Sequence, residues 1–524
     1  MNEQNSAAEA SPKSTTMVPA LLELQTRFLH AFFLERNQLR AVVDTLLNDR
    51  FGLNDDKARP VWACAKPLNF YEDELLEHVC RYLFATESGP CTYLQVTDVA
   101  QNWFRNTSVQ LPDAGKVYVH SGAGICIELF LSSKGVGILS IKLSATASQD
   151  QRSGLDCEQA IDFNYRLAQH RRQDAPLIRK QHPKDDPAVY SKLSSAQQQG
   201  IPDPPATDAP LEQRLGAQGG EFELKELAFR LLKPLRVHGL SPAELVEFLV
   251  YTVARFGSEA DFGDPSVRDN LAGFISSLAQ VEELSHTGPP PGRVTVPSTL
   301  LNRRHWAAVG LLGSAHLIGD QDGKGARFNE LRPRIVSDKY FIPFLLTLQQ
   351  RLVLNRTVDA TAGIVSLPRR ERAGQLAELR EEMLAFAVGG HFTQVSSRHV
   401  LHRYYRLSRR GLDVPVAWKE VRQAVSDLAT QEEAERSRDL ALGVRDNLTT
   451  ITNVQKVVHT IEYMLASVYL AHLWHMLVGE NHQLKELIGE HAWDWFVSSG
   501  VLVSAGLGFL GVYLINRFIE HGRH

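Results

Sequence analysis

The chain has 524 residues, with 56 Lys and Arg against 60 Asp and Glu, and its formal net charge is −4. This length exceeds a usual single domain of about 100 to 200 residues, so we expect a core domain and at least one further module. The near-neutral balance argues against nucleic acid as a partner bound through overall charge. The five cysteines lie in the first third without C-x-x-C spacing, which favours reduced thiols over a disulfide framework or a zinc knuckle.

The first 20 residues form a polar leader without an apolar core, so we expect no signal peptide and a cytosolic N-terminal part. Apolar residues at three- and four-residue spacing then predict helices over Leu21–Asp49 and Tyr71–Phe84. The blocks Gly124–Ser132 and Gly135–Leu143 are rich in Val, Ile and Leu and are predicted as a hairpin.

The middle of the chain changes composition twice. Between 170 and 221 the apolar content falls while Pro, Gln, Asp and Lys accumulate, which predicts a flexible linker or insertion. Helical periodicity resumes over Phe222–Phe256, and Trp306–Ile318 is predicted as a strand pair. Further helices are predicted at Asp269–Glu283, Tyr340–Arg356, Arg370–Phe386 and Ser397–Arg409. The part before the long helix is therefore expected to be mixed α and β.

Pro415–Val478 is predicted as one helix, because no proline follows its first residue and Asp413 with Pro415 supplies a start signal. Its length would be roughly 95 Å at 1.5 Å per residue. Residues 415–456 form a charged stalk with an apolar stripe that suits packing against partner helices in water. The stripe consists of Val421, Val425, Leu428, Val444, Leu448, Ile451 and Val454.

The end of this helix, Val457–Val478, is long enough to span a bilayer, which needs about 20 residues. It also contains one glutamate and three histidines, which are costly in lipid and should face a bundle interior or a water-filled path. These are Glu462, His459, His472 and His475. A buried helix of a soluble protein stays open as the alternative. His472 and His475 could ligate a metal, although packing between helices is the commoner role of such residues.

One face of the predicted first span mixes acidic, aromatic and apolar residues, as a pore lining would. With about 100° per residue, the residues on this face are Glu462, Ala466, Tyr469, Leu473 and Met476. We call this set the pore face.

Trp495–Ile515 contains no charged residue and is the stronger membrane prediction. It begins with a tryptophan and is followed by Arg517, which are typical interface anchors. Gly500, Ser504 and Gly508 recur every four residues and form a groove of small residues that lets membrane helices approach closely. We therefore predict tight packing against the first span.

The loop 479–494 carries four carboxylates against one lysine, whereas the opposite ends of the two segments are basic. By the positive-inside rule both chain termini then face the cytosol. In a symmetric oligomer such loops would concentrate cations at an outer vestibule. The plain alternative is the solubility of an exposed hairpin. The loop charges are Glu480, Lys485, Glu486, Glu490 and Asp494, and the basic residues are Arg445, Lys456, Arg517 and Arg523.

This order of parts resembles the CorA superfamily of divalent cation transporters. In that family the first span ends in a Gly-Met-Asn signature, and Gly479-Glu480-Asn481 stands at the matching place, followed by Trp493 and Trp495. The likeness is good over 415–524. The first two thirds are similar more loosely to the α/β/α cytosolic domain, with its mixed sheet, of such proteins.

The resemblance implies a homopentamer in a bacterial-type inner membrane, crossing it more than once, with a pore lined by the first span. Gly479 would supply a turn, and Glu480 and Asn481 would meet a hydrated divalent cation, Mg²⁺ or Zn²⁺, at the outer mouth. Glu480 replaces the family's methionine, so the ion stays open. We expect no tightly bound cofactor and no nucleic acid partner. We expect membrane lipid as a partner.

Other functions stay open. A ligand-gated membrane effector, such as a phage-defence pore, would bind a small signalling ligand on the cytosolic domain, and a membrane scaffold would conduct nothing. No nucleophile triad, phosphate loop or HExxH motif predicts an enzyme. The predicted boundaries are 1–20 leader, 21–169 and 222–414 α/β domain, 170–221 insertion, 415–456 stalk, 457–478 and 495–515 spans, 479–494 outer loop and 516–524 cytosolic tail.

Overall fold

The computed structural model divides the chain into two compact units, 1–425 and 426–524. The first unit contains the strands, and the described part of the second is helical. The residues that the structure describes are 19–35, 38–51, 59–65, 74–83, 92–98, 107–110, 116–117, 125–132, 134–146, 157–168, 177–180, 211, 223–242, 248–282, 294–390, 392–479 and 481–521.

The strands of the described residues are numbered in chain order. They are β1 (Leu21–Phe33), β2 (Arg50–Phe51), β3 (Arg59–Pro60), β4 (Trp62–Cys64), β5 (Tyr93–Val96), β6 (Thr107–Gln110), β7 (Lys116–Val117), β8 (Cys126–Leu131), β9 (Val136–Thr146), β10 (Leu177–Lys180), β11 (Ser241–Pro242), β12 (Leu249–Phe256), β13 (Ser298–Asn302), β14 (His305–Val309) and β15 (Gly313–Gly319).

The helices of the same residues are numbered likewise, and a 3₁₀ turn follows the fourth. They are α1 (Leu39–Asn48), α2 (Glu77–Leu83), α3 (Cys157–Ala168), α4 (Leu224–Leu232), α5 (Pro265–Gln280), α6 (Ala326–Lys339), α7 (Phe341–Ser366), α8 (Arg369–Gly389), α9 (His399–Gly411), α10 (Val414–Gly479), α11 (His482–Ile488) and α12 (Glu490–His521).

One large mixed sheet organises the first unit. Its strand order is β13-β14-β15-β12-β1-β9-β8-β5-β4, and β11 pairs beside β1. The pairing of β12 with β15 is parallel, and the other pairings in this sheet are antiparallel. The 13-residue β1 lies at the centre, between β12 and β9. The predicted hairpin of Gly124–Ser132 and Gly135–Leu143 is confirmed by β8 and β9.

Helices cover both faces of the sheet, as two neighbouring residues of β1 demonstrate. Successive side chains of a strand point to opposite faces. The hydroxyl of Thr26 donates to the Asn164 side chain of α3 at 2.9 Å, whereas Arg27 donates to Asp338 of α6 at 2.6 Å. The first unit is therefore a mixed α/β domain in which helices flank the sheet, which confirms the predicted mixed α and β class.

Two helix predictions are wrong. Leu21–Asp49 contains β1 and then α1, and Phe222–Phe256 contains α4, the 3₁₀ turn and β12. Both strands lie in the middle of a sheet that is covered on both faces, so apolar residues occupy both sides and the two-residue alternation disappears. The remaining apolar residues include pairs three and four positions apart, which is the spacing that predicts a helix.

The prediction of a flexible linker or insertion over 170–221 is wrong for one short segment. Leu177–Lys180 forms β10, which pairs antiparallel with β6 and so belongs to a small three-stranded sheet with β7. Strand pairing with a distant segment satisfies its backbone, which composition does not reveal. Apart from these four residues and Leu211, the segment lies outside the described residues.

A buried ion cluster joins the centre of the sheet to the helices above it. The Arg27 side chain is 3% exposed and donates to Glu128 of β8, to Ser140 of β9 at 3.3 Å and to Asp338 of α6. Its guanidinium carbon also lies 4.4 Å from the ring centroid of Phe341 in α7. One side chain of β1 thus contacts two other strands and two helices.

Further partners complete this cluster. The ammonium of Lys142 lies 3.2 Å from the same Asp338 carboxylate oxygen, and the hydroxyl of Tyr93 donates to Glu128 at 2.8 Å. Burial alone would raise the pKa of Asp338, but Arg27 and Lys142 hold it below its usual range. The carboxylate therefore stays ionised inside the domain.

We predict that Arg27→Ala destabilises the first unit by about 3 to 5 kcal/mol, because it leaves two buried carboxylates short of a cation. Denaturant unfolding followed by tryptophan fluorescence measures the change. The matched control is Arg303→Ala, whose 81% exposed side chain pairs with Asp261, and which should cost about 1 kcal/mol or less. Equal effects of the two substitutions would contradict the structural role of Arg27.

A second buried polar group lies on the same sheet. His305 of β14 and His316 of β15 are 2% and 0% exposed, and their ring nitrogens Nε2 and Nδ1 lie 2.9 Å apart. The rings of Tyr340 and Tyr404 contact His316 at centroid distances of 5.5 and 4.7 Å. Burial lowers the pKa of His316 to about 3 and lowers the pKa of His305 well below its usual value.

This pair should make the domain acid-sensitive. Both histidines are neutral when folded and take up protons near pH 6.5 when unfolded, so their contribution is intact above that pH and is lost progressively as the pH falls from about 6.5 toward 3. We expect a loss of about 1.4 kcal/mol per pH unit for each histidine. In a double variant, His305→Gln with His316→Gln, the unfolding free energy should vary less between pH 6.5 and 4.5. An unchanged slope would contradict the assignment.

Candidate functional site

The last part of α10 and the helix α12 contain the residues singled out by sequence. α10 is a single 66-residue helix, Val414–Gly479, so the predicted stalk and first span are continuous. Of the stalk stripe, Val421 and Val425 are 2% and 5% exposed. Farther along, four apolar side chains are each more than half exposed: Val444, Leu448, Ile451 and Val454.

Within the described residues, one segment is long and apolar enough to cross a membrane, His491–Gly511 in α12. It overlaps the predicted second span. The predicted first span, Val457–Val478, does not pass the same test, because Glu462 and the histidines lower its mean hydropathy. A single apolar C-terminal helix is therefore established by composition, and a two-span hairpin remains a proposal.

Two glycines of α12 lie directly against the end of α10. A Cβ atom at Gly500 would lie 1.8 Å from Nε1 of Trp474, and one at Gly508 would lie 2.3 Å from Cβ of Ser467. Neither position has room for a side chain. Between them, the Ser504 hydroxyl donates to the carbonyl of Gly500 at 2.8 Å. The two helices thus meet along the groove of small residues.

The pore face lies on the other side of α10. Within the predicted first span, Val457–Val478, the partly covered residues of α10 are Thr460, Ser467, Ala471, Trp474 and Val478. With about 100° per residue, the mean direction of this set is roughly 150° from that of the pore face. All five pore-face residues, Glu462, Ala466, Tyr469, Leu473 and Met476, are exposed.

The signature residues lie at the end of α10. Gly479 is its last helical residue, and Glu480 lies outside the described residues. Asn481 is exposed; its N–H donates to the carbonyl of Val478 at 3.2 Å, and its carbonyl accepts from the N–H of Lys485 at 3.2 Å. The side-chain amide of Asn481 is therefore presented at the start of α11.

Histidines and acids of α10 form one local contact. The ring of His459 lies 3.0 Å from the carboxylate of Glu462. His472 and His475 are exposed. Over the described residues of one chain, no group of three or more His, Cys, Asp or Glu is arranged to hold a metal ion.

Sequence reasoning missed a cavity of about 540 Å³ in the first unit, beside the start of α10. Its wall includes Tyr165, Glu282 and Arg410, together with Val281 and Asp413. The last two have φ angles of 54° and 52° and are the non-glycine residues with positive φ in the described chain. Such strain, which is strongest for a β-branched residue, is typical of ligand sites and switch regions. Residues so far apart in sequence give no local signal.

These observations define the class as an α/β domain followed by a very long helix and an apolar C-terminal helix packed against it. Comparison with protein-family models, with curated proteins and with solved structures found no match.

We predict that Gly500→Leu and Gly508→Leu separate α12 from α10, because each added side chain collides with Trp474 or Ser467. Gly506→Leu and Gly511→Leu are matched controls, because nothing lies within 4 Å of a Cβ atom at either position. Melting of the detergent-solubilised protein should fall by several degrees for the first pair only. Similar melting of all four variants would contradict the observed packing.

Proposed function

We propose that this protein is a homo-oligomeric membrane channel or transporter for divalent metal cations, with CorA-like architecture and both termini in the cytosol. The ion would be of the magnesium or zinc class. No covalent chemistry is required: the protein would supply a water-filled path and charged groups that favour cations.

One observation carries the proposal: a face of α10 that the described part of the chain leaves uncovered. This face runs from Val444 through Val454 into the pore face that ends at Met476. Exposed apolar residues in line on a helix in water need a partner. Repetition of the same helix around a symmetry axis provides one with no other protein.

The two sides of the hairpin suit such a ring. With α12 on one side of α10, the opposite side would face the axis, and there it presents a carboxylate and an aromatic residue among smaller ones. Glu462 and Tyr469 would meet water in the path, whereas in lipid the carboxylate would be strongly unfavourable. The charge-free part of α12 would face lipid, as its exposed side chains Leu502, Val503 and Leu507 suit.

The loop end would select for cations. Glu480 from each copy would form a ring of carboxylates, and the Asn481 amides would contact water molecules of a hydrated ion. A carboxylate ring raises the local cation concentration and excludes anions. Divalent ions that lose water reluctantly, such as Mg²⁺, suit a mouth that binds the hydration shell rather than the bare ion.

Purified protein in liposomes should admit Mg²⁺ or Zn²⁺, followed by an enclosed fluorescent indicator. We predict that Glu480→Gln lowers the initial rate about tenfold, because the local cation concentration falls, and that Asn481→Ala lowers it as well. Glu486→Gln is the matched comparison: it removes a carboxylate of the same loop outside the signature, and it should lower the rate less than Glu480→Gln does. Equal rates for wild type and the first two variants would refute the mouth assignment.

The same assay tests the lining. In a cysteine-free background, a water-soluble cationic thiol reagent should block flux through Leu473→Cys but leave Ala471→Cys, on the α12 side, conducting. Mass measurement of the detergent complex gives the number of copies, five by resemblance to the CorA superfamily. A monomer or a dimer would exclude a central pore.

A ligand-gated effector is the second candidate, and the cavity beside the start of α10 favours it. A small molecule that contacts Asp413 would act directly on the residue that precedes the long helix. Such a protein would be silent in liposomes until a small-molecule cell extract is added, and Tyr165→Ala would abolish the response. Ion flux without any added extract would exclude ligand gating. Absence of flux both with and without the extract would favour the non-conducting scaffold.

A further inference from the structure

A second cavity, of about 500 Å³, lies in the helical unit at the loop end of α12. We call it the loop-end pocket. Its polar wall consists of His475 from α10, Lys485 from α11, and Asp494 and Ser498 from α12. Its apolar wall consists of Trp493, Val497 and Val501, all from α12. The three helices thus contribute to one pocket in which polar and apolar walls are distinct.

Helical spacing explains why one side of α12 supplies most of this wall. Trp493, Val497 and Val501 follow each other at four-residue intervals, and Asp494 and Ser498 form the adjacent row. The Trp493 side chain is turned inward and is 4% exposed, whereas Trp495 is 77% exposed. The backbone N–H of Trp493 donates to the carbonyl of Gly489 at 3.0 Å, and its ring packs against the ring of Phe496, whose centroid lies 6.2 Å away. The pocket therefore has an aromatic wall.

Along the axis of α12, the charged residue of the wall lies nearer the helix start than the two valines do. Asp494 lies in the first turns of α12, and Val501 lies seven residues farther on, which is roughly 10 Å at 1.5 Å per residue. The apolar segment that is long enough to cross a membrane, His491–Gly511, includes both. Asp494 is thus at the end of the apolar segment where a bilayer interface would lie. Val497 and Val501 lie farther along the helix, toward the hydrocarbon core. A phospholipid has the same order of parts.

The charges select among phospholipids. Lys485 can donate to a phosphate oxygen, and the hydroxyl of Ser498 can do the same. Asp494 can accept hydrogen bonds from a primary ammonium group. A lipid with only an anionic headgroup would meet the Asp494 carboxylate, and a choline headgroup has no N–H to donate.

We propose that the loop-end pocket binds the headgroup of a phospholipid that carries both a phosphodiester and a primary ammonium group, as phosphatidylethanolamine does. The phosphate lies at Lys485 and Ser498, the ammonium at Asp494, and the first acyl carbons along Val497 and Val501. The proposal depends on insertion of α12 in a membrane but not on ion conduction. Loss of flux with lipid binding retained would therefore contradict the proposed function alone.

The test uses the full-length protein in nanodiscs that contain equal parts of phosphatidylethanolamine, phosphatidylcholine and phosphatidylglycerol. After transfer to detergent, mass spectrometry of the intact complex counts each lipid that is retained. The wild type should retain phosphatidylethanolamine about tenfold over the other two, the ratio expected from one charge-assisted hydrogen bond. Failure of the protein to enter nanodiscs would instead refute membrane insertion.

Two substitutions should affect lipid binding in different ways: one should change the preference between lipids, and the other should lower total retention. Asp494→Asn should abolish the preference for phosphatidylethanolamine over phosphatidylglycerol, because the ammonium loses its acceptor and the anionic headgroup loses a repulsive neighbour. Lys485→Gln should lower the retention of both lipids, and Lys485→Arg should restore it. Glu486→Gln, a charge change in the same helix outside the pocket, should leave the wild-type ratio. Melting in detergent identifies any variant that has not folded. If Lys485→Gln has not folded, lipid retention by Lys485→Arg tests the role of the charge in its place.

Soluble competitors separate a lipid site from a simple anion site. Glycerophosphoethanolamine and inorganic phosphate at millimolar concentration should displace little lipid, because neither fills the Val497 and Val501 wall. Displacement by inorganic phosphate, an unchanged lipid ratio in Asp494→Asn, or unchanged lipid retention in Lys485→Gln would each overturn the proposal.

Discussion

Arg27 lies in the longest strand of the described chain, at the centre of a sheet covered on both faces, where its side chain is 3% exposed to solvent. Its charge is matched by Glu128 of β8 and Asp338 of α6, and its face is covered by Phe341 of α7. These residues come from segments separated by about 100 and 300 positions. The cluster therefore forms only when the strands have their final register and the helices α6 and α7 have docked. An incorrect register would leave a buried charge without a partner.

The same requirement orders the neighbouring polar groups. Glu128 also accepts from Tyr93 of β5, and Asp338 from Lys142 of β9, so the cluster extends across four strands of the sheet. On the other side of β12, the buried pair His305 and His316 is neutral rather than ionic. Ion pairs stabilise the part of the sheet around β1, β9 and β8, whereas neutral rings pack around β14 and β15. The helix α10 begins within this unit, at Val414.

The helical unit follows different rules, because its helices meet through small residues rather than through a core. Gly500 and Gly508 let α12 approach α10 within van der Waals contact, and the remaining surface of α10 stays exposed. An exposed face of this length has no stable environment in a single copy in water. Self-association and contact with lipid are the two environments that suit it, and the proposed pore uses both. The loop-end pocket adds a specific lipid contact where α12 would leave the bilayer.

How far the sequence predicts this protein depends on whether the signal is local. The continuous helix α10, the apolar α12 and the hairpin of β8 and β9 each follow from periodicity, hydropathy and turn spacing within a short window. The strands β1 and β12 were predicted as helices, because burial on both faces removes the alternation that identifies a strand. β10 was predicted as part of a flexible linker, because its partner β6 is about 70 residues away.

For the candidate site, the sequence alone determined the composition of the two C-terminal helices: which residues share a face of α10, where the small residues of α12 recur, and which loop is acidic. Three features became visible in the fold alone: the covered side of α10 lies opposite the pore face, Trp493 is buried while Trp495 is exposed, and Val281 and Asp413 adopt positive φ beside one cavity. The physical reason is that helix periodicity is set by local backbone geometry. Pockets and buried charges arise from contacts between distant segments, whose free energy exists only in the folded chain.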